Sequence, residues 1–201
     1  MLDAPGGGAE VRIEVDRLDG RRVMAIADRI AALYRSCYRR PPWSETPEQM
    51  ASYDGKLAEA AARPGFTALT AAAGNGRRRL LGVCYGWPTP ALSEGDRVHD
   101  AVTRAFGAAR AAELIGGAFA VAELFVHPDA QGQGIGRRLV QAVVRDRPAA
   151  WLITYARSPA ARLYRSLGWR DQGPLPADLY PRLRLSLFTL RAPAEASSTP
   201  P

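Results

Sequence analysis

The residues best suited to chemistry lie between Glu123 and Val143. There an apolar stretch, Leu124-Phe-Val126, runs through His127 and Pro128 into alternating glycines at 132, 134 and 136. Ile135, Leu139, Val140 and Val143 then recur on one helical face. A strand feeding a glycine-rich turn at a helix start can hold phosphate. Glycines let the backbone approach closely, and the helix's first unpaired N–H groups face the anion at the favourable end of the macrodipole. Two phosphate loops are excluded. A nucleoside-triphosphate loop needs a lysine after its last glycine, and Lys56 is the only lysine in the chain. A dinucleotide loop needs G-x-G-x-x-G early in a βαβ unit, whereas these glycines are spaced G-x-G-x-G and come late.

A third loop fits. Gln131-x-x-Gly134-x-Gly136 resembles the Q/R-x-x-G-x-G/A pyrophosphate loop of the GNAT superfamily of N-acetyltransferases, which bind acetyl-CoA. Upstream, Glu123-Leu-Phe-Val-His-Pro-Asp129 looks like that family's fourth strand, whose end splays from its neighbour and pairs with the pantetheine arm. Downstream, Ala161-Arg-Leu-Tyr-Arg-Ser-Leu-Gly-Trp169 is similar to the helix carrying a tyrosine beside the CoA sulfur. The resemblance covers roughly residues 118–170; the first hundred residues match only in the order of their elements.

The resemblance implies a set of roles. Leu124, Phe125 and Val126 would line the pantetheine arm, with the Val126 N–H polarising the thioester carbonyl. Gln131, Gly132, Gln133, Gly134, Ile135, Gly136 and Arg137 would surround the pyrophosphate. Where family members often carry Asn before the tyrosine helix, this chain has Arg157-Ser158-Pro159, so Arg157 or Ser158 would take over that contact. Tyr164 would protonate the departing thiolate; the alternative is a tyrosine that simply packs.

Amine acetylation also needs a base, since deprotonating an amine of pKa near 10 costs roughly 4 kcal/mol at neutral pH. Glu123 is the candidate, directly or through water, because strand alternation puts it on the side of Phe125 and opposite Leu124 and Val126. The alternative is an edge-strand glutamate with a surface partner. His127 reads as a surface residue before Pro128, and His99 has no partner acid at fixed spacing. No metal site is expected, since Cys37 and Cys84 lack ligand spacing and read as core thiols of a reducing compartment.

The chain of 201 residues is long enough for one domain with a substantial core. Its net charge of +7 is nearly all arginine, dispersed and without interleaved aromatics. That argues against a nucleic-acid platform, and part of the excess suits the phosphates of CoA. No apolar run approaches the roughly 20 residues of a membrane span, and the N-terminus does not read as a signal peptide, so a cytoplasmic protein is expected. A homodimer is compatible with the sequence but not specified by it.

Residues 1–9 and 192–201 read as disordered tails around a single domain at 10–191. The expected elements begin with a strand over 10–15 and a helix over 23–38 stopped by Pro41-Pro42. A second helix is capped by Thr46 with Pro47 first, and a hairpin spans 66–73 and 79–87. Residues 88–117 form an insertion with one amphipathic helix, placed either to roof the acceptor site or to pack on the sheet edge. A fifth strand covers 149–155, a helix 159–167, and a long final strand Tyr180–Leu190. This order predicts an α/β fold of the GNAT type, with a mixed, largely antiparallel sheet and helices on both faces. The family implies that the sheet splays between strands 4 and 5.

The leading expectation is transfer of acetyl from acetyl-CoA to a primary amine of a small molecule or peptide, in a ternary complex. The alternatives are a catalytically silent acyl-CoA-binding module, against which Tyr164 and Glu123 argue, and an acetyltransferase of aminoacyl-tRNA. The acceptor would be lined by residues 41–45, the insertion and residues 174–180. Trp43, Trp87, Tyr180 and the acids Glu45, Glu94, Asp96 and Asp178 suit a small cation with an apolar body.

Overall fold

The computed structural model describes residues 12–74, 79–90 and 96–192. The expected tails other than Ala192, the connection of the hairpin at 75–78 and Glu94 lie outside these residues. Seven strands form one sheet in the order β1-β2-β3-β4-β5-β7-β6. They are β1 (Ile13–Leu18), β2 (Thr67–Ala73), β3 (Arg79–Pro88), β4 (Phe119–Val126), β5 (Ala149–Tyr155), β6 (Arg170–Pro174) and β7 (Leu185–Arg191). All neighbours are antiparallel except β4 and β5, which run parallel and pair only through Phe119–Ala150 and Ala120–Trp151. Beyond those pairs the two strands part, as expected.

On one face lie α7 (Ile135–Val144) and α8 (Pro159–Ser166), packed through Leu139, Val140, Ala161 and Tyr164 onto Leu81, Phe119, Val121 and Phe188. The other face carries two groups of helices. Over β2–β4 are α1 (Gly20–Met24), α2 (Ala27–Tyr38), α3 (Pro47–Ala51) and α4 (Tyr53–Ala61). Over β4, β5 and β7 are α5 (Arg97–Phe106) and α6 (Ala108–Ile115), which supply Val102, Leu114 and Ile115 against Ala120, Trp151 and Leu187.

Several expected elements are redrawn, among them the helix opened at Thr46, which divides at Ser52 into α3 and α4. The single helix over 23–38 breaks at Ile26, whose φ of −125° is not helical. The break turns α1 onto α4 and the β1–β2 edge while α2 crosses β3 and β4. The helix of the insertion is two, because Gly107 takes φ +80°, a conformation that only glycine adopts without cost. The final strand starts at Leu185 and not at Tyr180. Pro181 has no N–H for a ladder, and Tyr180 is drawn away to a ring contact with Trp43. The cap on the third helix is as expected: Thr46 and Gln49 form a reciprocal capping box with Pro47 in the first turn.

One irregularity positions the site. Opposite β3, Tyr85 faces Glu123 but Gly86 faces Val121, so Ala122 is an extra residue in β4. Ahead of this bulge, Phe119 and Val121 point to the α7–α8 face; after it, Leu124 and Val126 do. Phe125 therefore turns to the opposite face, and Glu123 with it. Strict alternation from Val121 would have put Glu123 under α7.

Candidate active site

Glu123 emerges from β4 into a nest of aromatic side chains. Tyr38, the last residue of α2, donates its hydroxyl to Glu123 Oε2 at 2.5 Å. Tyr34, one turn earlier, stacks on Tyr38 at 4.1 Å and on Tyr53 at 3.7 Å, and its ring edge meets Phe125. Burial pushes the Glu123 carboxyl up to about 7; the Tyr38 hydrogen bond opposes this, Glu45 adds to it, and Lys56 opposes it. A carboxyl that titrates near neutrality is matched to accept a proton there. Burial first, then the Glu123 charge, raises the pKa of Tyr38 and Tyr53, and these hydroxyls remain donors at neutral pH.

Tyr164 stands on the opposite face of the sheet, 5% exposed and 5.6 Å from the Trp169 ring. Burial raises its pKa, and Cys84 and Glu123 raise it further, so the phenol keeps its proton at neutral pH. Glu123 and Tyr164 thus flank β4 where it has parted from β5.

The backbone between them is available for a ligand. The His127 N–H bonds to Leu81 O, and directly opposed residues alternate between bonded and unbonded pairs. Val126, opposite Gly82, and Leu124, opposite Cys84, therefore direct their backbone groups toward the gap with β5. Val126 O accepts from Cys37 Sγ at 3.3 Å and from Gln131 Nε2 at 3.1 Å. The second contact ties the glycine loop to the strand end. Gly134 takes φ +76° and opens α7 without a side-chain cap. The first intrahelical bond runs from Arg138 N to Gly134 O, which leaves the earlier N–H groups of the turn pointing outward. Gln131, Gly132, Gln133 and Arg137 are exposed around that turn, and Ile135 is buried beneath it. Arg137 crosses to Ser166 at 2.9 Å and so joins α7 to α8.

Arg157 and Ser158 separate. Ser158 is 3% exposed and accepts from Ala161 N as the cap of α8, whereas Arg157 is exposed beside it. His127 is part of the loop: its ring nitrogens meet Arg79 Nη2, and Nδ1 accepts from Asp129 N.

The three segments expected around the acceptor do converge. Trp43 meets Tyr180 edge-on at 6.0 Å, and Arg182 donates to Ser44 O at 3.1 Å. Arg104 of α5 pairs with Asp178 at 2.9 Å. Ser44 holds φ +43°, a strained conformation for a serine, and the Arg182 contact helps to keep it there. Of the four acids expected to suit a cation, the three among the described residues are already engaged. Glu45 accepts from Tyr34 at 2.8 Å through both oxygens, Asp178 pairs with Arg104, and Asp96 caps α5. Tyr38, the direct partner of Glu123, does not stand out in the sequence as a site residue. The available signal was Tyr34 and Tyr38 one turn apart on an apolar face, because buried tyrosine hydroxyls need partners.

Residues 94–171 match the family model of the acetyltransferase (GNAT) domain. Among curated proteins, none matches the sequence. Solved structures share the fold at low identity. A GNAT-family protein from Desulfovibrio desulfuricans has a TM-score of 0.61 at 17% identity, covering 90% of this chain and 99% of its own. The PaiA N-acetyltransferase of Thermoplasma acidophilum, in complex with coenzyme A, has 0.59 at 11% identity, covering 90% and 99%. The ribosomal-protein-S18-alanine N-acetyltransferase of Escherichia coli has 0.52 at 16% identity, covering 92% and 98%. Among the described residues, no helix is long and apolar enough to cross a membrane and no cluster of side chains could hold a metal ion.

Proposed function

The chain carries a GNAT acetyltransferase domain, and from that premise we propose that it transfers the acetyl group of acetyl-CoA to a primary amine by direct attack in a ternary complex. The observation that carries this reading is the pair Glu123 and Tyr164, a carboxyl titrating near neutrality and a protonated phenol on either side of the parted β4. Pyrophosphate would sit on the outward N–H groups of residues 132–137, with Gln131 and Arg137 beside it and Arg157 at the edge. The pantetheine arm would run along the unpaired edge at Leu124–Val126, bringing the thioester between the two faces.

Glu123 takes a proton from the incoming ammonium, directly or through one water, and the neutral nitrogen attacks the thioester carbon. The Val126 N–H polarises the carbonyl oxygen as the tetrahedral adduct forms. Collapse of the adduct breaks the C–S bond, Tyr164 gives its proton to the thiolate, and the second proton shed by the nitrogen as the amide forms restores the phenol through solvent. A covalent acetyl-cysteine route is disfavoured because burial pushes the Cys37 thiol up to about 11 and raises that of Cys84 as well.

The test is initial-rate kinetics with acetyl-CoA against primary amines, polyamines, aminoglycosides and peptides, following free thiol. Intersecting double-reciprocal lines are expected. Parallel lines would point to an acetyl-enzyme, and binding of acetyl-CoA without turnover on any amine would replace the enzyme with a binding module.

A further inference from the structure

A cavity of about 180 Å³ opens where β4 and β5 begin to part, on the face covered by α5 and α6. Its floor is Ala120–Ala122 of β4 with Trp151 and Ile153 of β5, and its walls include Trp87 and His99. Ala122 immediately precedes Glu123, and Trp87 lies on β3 two residues from Tyr85, the cross-strand partner of Glu123. The floor extends three residues back along β4 from Glu123, about 10 Å at strand spacing.

Most of its polar groups are already paired. Trp151 Nε1 donates to Thr89 Oγ1 at 2.6 Å. Arg63 lies 4.6 Å over the Trp87 ring and 3.8 Å from Asp96, whose other oxygen caps α5. His99 Nδ1 is different: it is sealed from solvent and has no hydrogen-bond partner. An unpaired buried polar atom is costly, and a turn of the His99 ring that brings Nδ1 onto the adjoining cavity lets a ligand relieve that cost.

We propose that this cavity is the subsite for the acceptor's non-reacting end, taking a flat apolar body that ends in a hydroxyl group, which pairs with His99. The inference rests on the acetyltransferase reading above and names the class of amine that reading leaves open. A hydroxyl both donates and accepts, so it satisfies Nδ1 in either tautomer. Trp87 and Trp151 suit an aromatic ring, and the small volume limits the body to about one ring, well below a drug-sized pocket. With its amine at Glu123 and its hydroxyl at His99, such a substrate spans the distance along β4. The insertion thereby sets acceptor choice without touching the cofactor.

The experiment compares tyramine with phenethylamine, which differ only in the terminal hydroxyl, using the full chain and saturating acetyl-CoA. Wild type should show kcat/KM about 10-fold higher for tyramine, the size expected of one buried hydrogen bond. His99→Leu should abolish that preference mainly through KM while leaving acetyl-CoA affinity unchanged. Val98→Trp, which fills the cavity while His99 itself is retained, should raise KM for both ring amines and spare ethylamine. Equal use of both ring amines by wild type, or a preference that survives in a folded His99→Leu protein, would overturn the subsite. Failure to acetylate any amine, ethylamine included, would instead overturn the acetyltransferase reading on which it rests.

Discussion

Tyr38 Oη and Glu123 Oε2 lie 2.5 Å apart although 85 residues separate them in the chain, one at the end of a helix and one in the middle of the sheet. The bond holds the carboxyl in a single orientation and favours its ionised form against the burial that disfavours it. Tyr38→Phe should therefore move the Glu123 pKa above about 7. The acid limb of the kcat/KM profile should shift to higher pH, with activity lost at pH 7 and largely regained at pH 9. An unshifted profile with uniformly lower rate would make Tyr38 a packing residue.

Glu123 itself should leave opposite signatures in rate and stability. With the carboxylate as base, activity falls as pH drops through about 7, and Glu123→Gln removes that limb with a loss of about 10²- to 10⁴-fold. Stability runs the other way. The folded carboxyl binds its proton up to about pH 7 while the unfolded one releases it near 4.3, so this group's contribution to stability declines as pH rises between those values. Glu123→Gln should thus melt higher than wild type at pH 8 and equally at pH 4. Melting curves at the two pH values check the sign.

Tyr164→Phe should lower kcat by about 10²- to 10⁴-fold and leave acetyl-CoA affinity nearly intact, because a proton donor to the leaving group acts mainly in the transition state. The ring contact with Trp169 survives in the variant, so the fold should hold. Wild-type kcat, under conditions where chemistry limits the rate, would assign the proton to water.

Gly136→Val should weaken acetyl-CoA by at least about 10-fold, since each charge-assisted N–H bond to phosphate contributes about 1.5–3 kcal/mol and the side chain crowds the helix start. A Cβ there already stands 3.5 Å from Leu163, so a melting curve must accompany calorimetry. Unchanged affinity in a folded variant would move the phosphates elsewhere.

Arg182→Ala removes the bond that joins Ser44 to the loop before β7. With Ser44 at φ +43° and Trp43 resting on Tyr180, the clasp should loosen. Acceptor KM should rise about 3- to 10-fold, the size of one ordinary intramolecular hydrogen bond, with acetyl-CoA affinity unaffected. Equal effects on both substrates would show a general loss of order.

The glycine loop, the cap of the third helix and the hairpin were legible from residues alone, because each depends on groups close together in the chain. A helix start presents its N–H donors wherever glycines admit an anion, and Thr46 needs only Gln49 to close its box. The relationships that organise the site are long-range. Nothing about Ala122 marks it as an extra residue in β4, yet that one residue decides which face of the sheet receives Glu123. Tyr38 reads as one more apolar-face residue of a helix until packing brings β4 beneath it. His99 has no partner acid at fixed spacing in the sequence, and only the folding of α5 over the parting of β4 and β5 seals its Nδ1 beside a cavity. Periodicity records which residues are buried, but burial against a particular partner is set by strand order, register and helix crossing, which exist only once the chain has folded.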